Sequence, residues 1–209
     1  LILKCYIMKK LIILWVILIA TPLTIGPQNL GDIDFISPFN DGLSAIEKEG
    51  KWAFINGEGE LVIDYRDDLV LTDFGDKSYP IFNSERCLIV KKDEGISYFG
   101  YINKTGETAI KPQYLNATNF KKGLAIILKL HKISLGQNDI LGKNMVDYSY
   151  SELAINSNGE TVHYLSEKPT HVTLSKDFLK GPPNIRTLFI SDGLIAIKNE
   201  DKTWSIKKL

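Results

Sequence analysis

The chain has 209 residues, of which 25 are basic and 25 are acidic, so its formal net charge at neutral pH is zero. A balanced charge of this kind predicts neither a nucleic-acid partner nor attraction to an anionic membrane surface. The length is within the usual range for one domain and is sufficient to bury a hydrophobic core.

Residues 1–28 are predicted to be a secretory signal peptide. Lys9 and Lys10 form a positive n-region, and residues 11–20 form an apolar core. The uninterrupted apolar run is shorter than the ~20 residues that a transmembrane helix needs. Met8 is an alternative start of translation. The protein is therefore expected outside the cytoplasm, in the periplasm or secreted, and it would contact a membrane only through an uncleaved signal segment.

The cysteines do not predict a disulfide. Only Cys87 would remain after the signal segment is removed, so no internal pair can form. Cys87 begins an apolar run, where a small buried hydrophobic side chain is expected, and a reactive thiol is the alternative. Removal of the signal segment takes three lysines and no acid, which leaves a slight excess of acidic residues.

A short phrase, Ile-Asn-x-x-Gly-Glu, occurs three times, with the Asn and Gly residues at Asn56 and Gly59, Asn103 and Gly106, and Asn156 and Gly159. Asn favours the first position of a type I turn because its side chain bonds the backbone ahead of it. Gly three residues later takes the left-handed conformation that closes a bulged hairpin. Each copy, called here an Asn turn, predicts a hairpin tip, and the repetition predicts a repeated scaffold.

The sequence around these turns divides into similar segments, called R1 (residues 39–65), R2 (82–114), R3 (120–165, with an insertion) and R4 (189–209, truncated). Each is predicted to be a β-meander of short strands joined by turns. The first turn of R2, residues 91–95, is predicted to be four residues longer than that of R1. R4 reaches Leu209 where a fourth Asn turn is expected to begin. Residues 29–209 are thus predicted to form a single repeat domain.

Large aromatic residues recur at fixed places in the segments. Trp52 in R1 is matched by Phe99 in R2 and by Trp204 in R4, and Phe54 is matched by Tyr101. These side chains are predicted to form the core between stacked segments. The alternative is an exposed aromatic stripe that binds sugar rings.

The combined pattern is Phe-x-x-Gly-Leu-x-x-Ile, an aromatic, a small residue, an aromatic and Ile, and then Asn-x-x-Gly-Glu. It resembles the WG (also called KWG) repeat of bacterial proteins. R2 is most similar to it, R1 has Ala53 where the family has Gly, R3 lacks the Trp, and R4 ends early. The resemblance implies an all-β array of about four antiparallel three-stranded meander repeats after an N-terminal signal helix. It also implies frequent export, no assigned catalytic chemistry and no active-site residues to transfer.

Two sets of residues invite a catalytic or metal-binding interpretation. Glu60, Glu107 and Glu160 recur beside the hairpin tips, but acid–base catalysis needs two carboxyl groups that face one substrate and differ in pKa. Solvated charges are therefore the preferred interpretation. The three histidines, at 131, 163 and 171, lack the spacing of a metal site. No catalytic residue, cofactor or metal site is predicted, and the protein is not expected to be an enzyme.

The insertion in R3, residues 131–150, is the predicted contact loop. Loops on a rigid scaffold commonly carry recognition, which singles out His131, Tyr148 and Tyr150. A loop without a partner is the alternative. The expected function is that of an exported, non-catalytic scaffold that binds another protein or a component of the cell envelope. Carbohydrate or cell-wall binding through exposed aromatics is a second hypothesis, and a hydrolase with carboxylates in the insertions is a third.

Overall fold

A computed structural model describes residues 30–138, 143–191 and 193–209, with the side chains of 137, 138, 143 and 144 excepted. The predicted signal segment, 1–28, lies outside the described residues. The described chain is all-β, as predicted, and contains no helix. Accordingly, nothing among these residues is a helix of the length and apolarity needed to cross a membrane. Residues 32–209 form one compact body.

The described residues form sixteen strands, which are β1 (Phe35–Ile36), β2 (Ser44–Lys48), β3 (Lys51–Ile55), β4 (Leu61–Arg66), β5 (Thr72–Asp73), β6 (Ser78–Tyr79), β7 (Cys87–Asp93), β8 (Ile96–Ile102), β9 (Thr108–Ala117), β10 (Leu124–Asn138), β11 (Lys143–Asn156), β12 (Thr161–Tyr164), β13 (Thr170–His171), β14 (Thr187–Ser191), β15 (Leu194–Lys198) and β16 (Trp204–Lys208).

These strands form several antiparallel sheets. The orders are β1-β2-β3-β4, then β12-β11-β10-β9-β8-β7 with β13 beside β11, then β14-β15-β16, and the pair β5-β6. Strand β9 pairs with β8 through Ile110 and Tyr114, and with β10 through Tyr114 and Ala117. One strand therefore closes R2 and leads into R3, so the two segments share a continuous sheet.

The first two strands of each segment form a hairpin, called here its leading hairpin. In R1 the turn is Glu49 and Gly50, and in R2 it is Glu94 and Gly95, with positive φ at all four residues. This is the conformation of the two-residue type I′ turn. The prediction of a longer turn in R2 is wrong. The extra residues lengthen the strands instead, from five each in β2 and β3 to seven each in β7 and β8, because they fall equally on both sides of the turn.

The leading hairpin of R3 is longer still, with fifteen residues in β10 and fourteen in β11. Its pairing runs from Leu124 opposite Asn156 to Asn138 opposite Lys143. The predicted contact loop at residues 131–150 is therefore wrong as a loop. An insertion that is matched on both strands continues the ladder and gives its backbone groups partners, which an irregular loop of this length would not do.

The aromatic core joins consecutive segments. Phe54 of R1 packs edge-on against Phe82 at the start of R2, and Tyr101 of R2 packs likewise against Phe120 at the start of R3, with ring centroids 4.8 Å apart in both pairs. The phenylalanine at the start of R2 and the one at the start of R3 thus each pack against an aromatic residue of the preceding segment. Trp52, Phe99 and Tyr101 are all buried.

Trp204 departs from this arrangement. It pairs with Lys198 just as Trp52 pairs with Glu47, so the alignment of R4 with R1 holds. However, Trp204 is 51% exposed, whereas Trp52 is 6% exposed. The core prediction is thus wrong for Trp204, because β16 is the edge strand of its sheet, while β3 lies between β2 and β4.

Gly100 occupies the position of the small residue between the two aromatics. A Cβ atom there would lie 2.4 Å from the Ile110 carbonyl oxygen and 2.5 Å from the Pro112 nitrogen. The cause is a bulge in β9. Phe99 pairs with Tyr114 and Tyr101 pairs with Ile110, so an advance of four residues along β9 lies opposite an advance of two residues along β8. The corresponding bulge in R1 spans only three steps, and that segment has Ala53.

We expect Trp52→Ala to lower the free energy of unfolding by ~3–5 kcal/mol, because it empties a core position. Gly106→Ala is expected to cost only ~1–2 kcal/mol, for forcing a residue with a side chain into φ of +82°. Urea denaturation measures both. Gly59→Ala, at φ of +79° in open surroundings, is the control for backbone strain alone. Equal midpoints for Trp52→Ala and Gly106→Ala would contradict this ranking.

We expect Gly100→Ala to destabilise the protein by ~1–3 kcal/mol, the usual cost of overpacking, because backbone atoms of β9 must move. Gly57→Ala is the matched control, since that glycine has ordinary φ and open surroundings. Thermal and urea denaturation of the two variants test this. A Gly100→Ala protein as stable as the control would show that β9 does not constrain this position.

Candidate functional site

The three Asn turns have the same hydrogen bonds. In each, the Asn backbone N–H donates to the Glu carbonyl four residues on, and the Gly N–H donates back to the Asn carbonyl, all at 2.9–3.1 Å. The Asn Oδ1 accepts two further backbone N–H groups, from residues 58 and 60, 105 and 107, and 158 and 160. Asn and Gly are thus required by the turn itself.

The recurring glutamates also belong to these turns. The Asn side-chain amide donates to the Glu carboxylate at 2.9 Å in the R1 turn, 3.3 Å in the R2 turn and 2.7 Å in the R3 turn. Each carboxylate therefore braces its own turn. All three glutamates are exposed, as expected for solvated charges, and their fixed distance from the Asn was the signal of this additional role.

Two of the Asn turns are seated on the preceding segment. A Cβ atom at Gly106 would lie 3.2 Å from Ile63 of β4, and one at Gly159 would lie 3.4 Å from Ile110 of β9. The turn of R2 thus rests on the third strand of R1, and the turn of R3 rests on the third strand of R2. A Cβ atom at Gly59 would meet none of the described residues within 4 Å, and residues 57–60 are exposed.

Arginine side chains donate hydrogen bonds to the two seated turns. Arg66 Nη1 donates to the Gly106 carbonyl at 2.9 Å, and Arg86 Nε donates to the Ser157 carbonyl at 2.9 Å. Arg66 also makes two bonds to the Asp68 carboxylate, at 2.6 and 2.8 Å. That hydrogen-bonded carboxylate raises the pKa of Arg66, so the guanidinium remains charged.

Tight two-residue turns precede β2, β7 and β10 at residues 40–43, 83–86 and 121–124, and we call them entry turns. They contact one another from segment to segment. The Asp41 carboxylate accepts from the Glu85 N–H, and Ser84 Oγ accepts from the Gly123 N–H at 2.9 Å. Asp41 also pairs with Lys104 of the seated R2 turn at 3.3 Å. In R3 the position equivalent to Asp41 and Ser84 is occupied by Lys122, whose side chain has no hydrogen-bond acceptor.

The contact between R3 and R4 differs from the inner contacts. By strand register, Ala154 occupies the position of Phe54 and Tyr101, since it pairs with His163 of the third strand as they pair with Ile63 and Ile110. Ile190 stands where R2 and R3 begin with a phenylalanine. It is 47% exposed, whereas both phenylalanines are 1% exposed. Among the described residues of R3 and R4, no aromatic pair joins the two segments here.

A cavity of about 400 Å³ lies at this place. It is bordered by the entry turn of R3, by the third strand of R3, by the entry of R4 and by Leu209, the residue after β16. The other lining residues include Lys121, Lys122, Leu124, His163, Phe189 and Ile190. The entry turn and the third strand of R3 correspond to the elements of R1 and R2 that hold the Asn turns of R2 and R3. We call this cavity the socket, because it corresponds to the seat of an Asn turn.

Glu152 stands at the position of Trp52 and Phe99 and has a structural role. It is buried, and its carboxylate accepts from the Arg186 N–H, from the Thr187 N–H at 3.2 Å and from Thr187 Oγ1 at 2.6 Å. It therefore anchors the start of β14. Sequence reasoning missed Glu152, Ala154 and Ile190, although aligning R3 and R4 with R1 places each at an aromatic position.

The residues predicted as a contact loop do not form one site. His131 Nε2 lies 3.0 Å from Ser151 Oγ across the long hairpin. Tyr148 and Tyr150 are half-buried and pack in a cluster with Leu128 and Val172. Their rings therefore help to hold the chain after R3 against the hairpin.

Two larger clefts are also present. One, of about 610 Å³, is bordered by Tyr150, Glu152 and Arg186, and another, of about 660 Å³, by Tyr98 and Tyr148. Neither corresponds to a surface that the inner segments use, and the Glu152 carboxylate in the first is held by its own hydrogen bonds. The socket is therefore the better candidate.

Cys87 lies in the core, where burial raises the pKa of its thiol. The side chain thus remains protonated at neutral pH, because the thiolate would lose its hydration. This supports its interpretation as a small hydrophobic residue.

A model of the family described as WG containing repeat matches residues 32–52 and 99–130. The first match covers β1, the R1 entry turn and the hairpin as far as Trp52. The second runs from Phe99 through the R2 Asn turn into β10, and so contains the seated turn and the next entry turn. Comparisons with curated proteins and with solved structures gave no match. Both family matches fall on the repeated elements, and the chain is a WG repeat-containing protein.

Proposed function

We propose that this protein is a non-catalytic scaffold that binds another protein, and that the socket is its binding surface. The observation that carries the proposal is the equivalence of the socket to the seats of the two inner Asn turns. Its borders include Leu124 and His163, which follow the arrangement that holds a polypeptide turn elsewhere in the chain. A protein turn is the ligand shape that such a surface fits.

We also propose that R1 to R4 are four WG-type repeats behind an export signal, and that the protein acts in the periplasm or is secreted. The support is the recurrence of hairpin, Asn turn and entry turn, together with the composition of residues 1–28. R3 and R4 are altered repeats, with Ala154 and Ile190 in place of the joining aromatics.

The use of the carboxylates supports a role without catalysis. The glutamates of the three Asn turns each bond the Asn of their own turn, and the buried Glu152 bonds the start of β14. A hydrolase would need two carboxyl groups directed at one substrate. We accordingly propose no cofactor.

Protein binding is favoured over carbohydrate binding by the burial of the repeat aromatics. Trp52, Phe54, Phe99 and Tyr101 are buried, and of the predicted stripe Trp204 alone is exposed. A platform for sugar rings needs aromatic faces that are open to solvent. The stripe thus serves the core in R1 and R2.

A photocrosslinking amino acid at Ile190, in the socket, tests the proposal. Ile133, on the long hairpin, is the matched control because it is 52% exposed, against 47% for Ile190. In extracts of the native cell envelope we expect protein adducts from position 190 and none from position 133. Glycan adducts alone, or protein adducts from position 133 alone, would contradict the assignment of the socket.

A further inference from the structure

The described chain contains one Asn turn without a seat and one seat without a turn. The turns at residues 103–107 and 156–160 rest on Ile63 and Ile110. The turn at residues 56–60 is exposed at its tip, and a Cβ atom on Gly59 would meet nothing within 4 Å. The socket lies at the other end of the array, between R3 and R4.

R4 does not provide an Asn turn for the socket. Lys207 pairs with Ile195 of R4, which places Lys208 in the register position that Asn56 holds in R1. A lysine side chain has no acceptor, so it cannot take the two backbone N–H groups that define an Asn turn. Position 208 therefore does not form an Asn turn in the socket.

The exposed turn has the backbone shape of the seated ones. The φ angles are +79° at Gly59 and +82° at both Gly106 and Gly159. Asn56 makes the same bonds to its own turn as Asn103 and Asn156 make to theirs. A surface that seats one of these turns is thus of the right form to seat another.

The charges of the exposed turn and of the socket are also complementary. At the seat in R1, an acid of the entry turn, Asp41, pairs with a base of the seated turn, Lys104. In the socket the signs are reversed, because the entry turn of R3 carries Lys121 and Lys122. The exposed R1 turn carries the acid Glu58, two residues after Asn56.

We propose that the Asn turn at residues 56–60 of one copy docks into the socket of a second copy, so that chains associate head to tail. This inference rests on the proposed binding role of the socket, and it takes a second copy of the chain as the protein that is bound. Such a contact joins two different surfaces. Each dimer therefore keeps one free turn and one free socket, and assembly continues with concentration.

Sedimentation velocity of the purified chain tests this, with two charge-reversal variants. Glu58→Lys changes the turn without removing its hydrogen bonds, since only the Glu58 backbone N–H bonds Asn56. Lys121→Glu with Lys122→Glu changes the socket. We expect the wild type to associate, and each variant alone to associate about tenfold more weakly. An equimolar mixture of the two variants should regain association, because the unaltered turn of one variant meets the unaltered socket of the other and the two altered surfaces carry opposite charges.

Lys91→Glu with Lys92→Glu makes the same charge change at exposed positions on β7 and should leave association unchanged. A wild type that remains monomeric up to about 1 mM, or a mixture that shows no recovery, would overturn the self-docking proposal. A monomeric wild type that still gives protein adducts from position 190 would overturn self-docking and leave the proposed function standing. Association without any adduct of another protein would support self-docking.

Discussion

The seating of an Asn turn on the third strand of the preceding segment is the contact on which the rest of the structure depends. It requires a glycine, because the positive φ and the closeness of Ile63 to Gly106 leave little space for a side chain. It requires the asparagine to fix the turn, and Arg66 binds the turn's carbonyl from outside. The Phe82 and Phe120 rings then close the space behind each contact, against the aromatic of the previous segment.

This arrangement also explains where the chain tolerates insertions. The Asn turns and entry turns lie together at one end of each leading hairpin, and the contacts between segments involve that end. The opposite end of the hairpin is free to lengthen, from five residues in β2 to seven in β7 and fifteen in β10. Each extension pairs with the partner strand, with one bulge between Ser134 and Gly136 in R3, so it adds hydrogen bonds without changing the register at the seat.

The sequence was sufficient to predict the all-β class and the Asn turns, because turn formation depends on local chemistry at Asn and Gly. It did not predict the long hairpin of R3, since a strand extension depends on pairing between residues that are distant in sequence. Trp204 was misjudged for a related reason, because its burial depends on a strand beside β16 and not on its own place in the repeat. The socket could not be predicted from the sequence, because its recognition depends on the strand pairing of Ala154 with His163.

A double-mutant cycle between Ile63 and Gly106 tests the turn-seating account most directly. The measurement is the free energy of unfolding of Ile63→Ala, Gly106→Ala and the double variant by urea denaturation. A Cβ atom at position 106 would lie 3.2 Å from Ile63 Cγ2, so truncation of Ile63 removes that crowding. The account predicts that Gly106→Ala costs at least ~0.5 kcal/mol less in the Ile63→Ala protein. An equal cost in both backgrounds would contradict it.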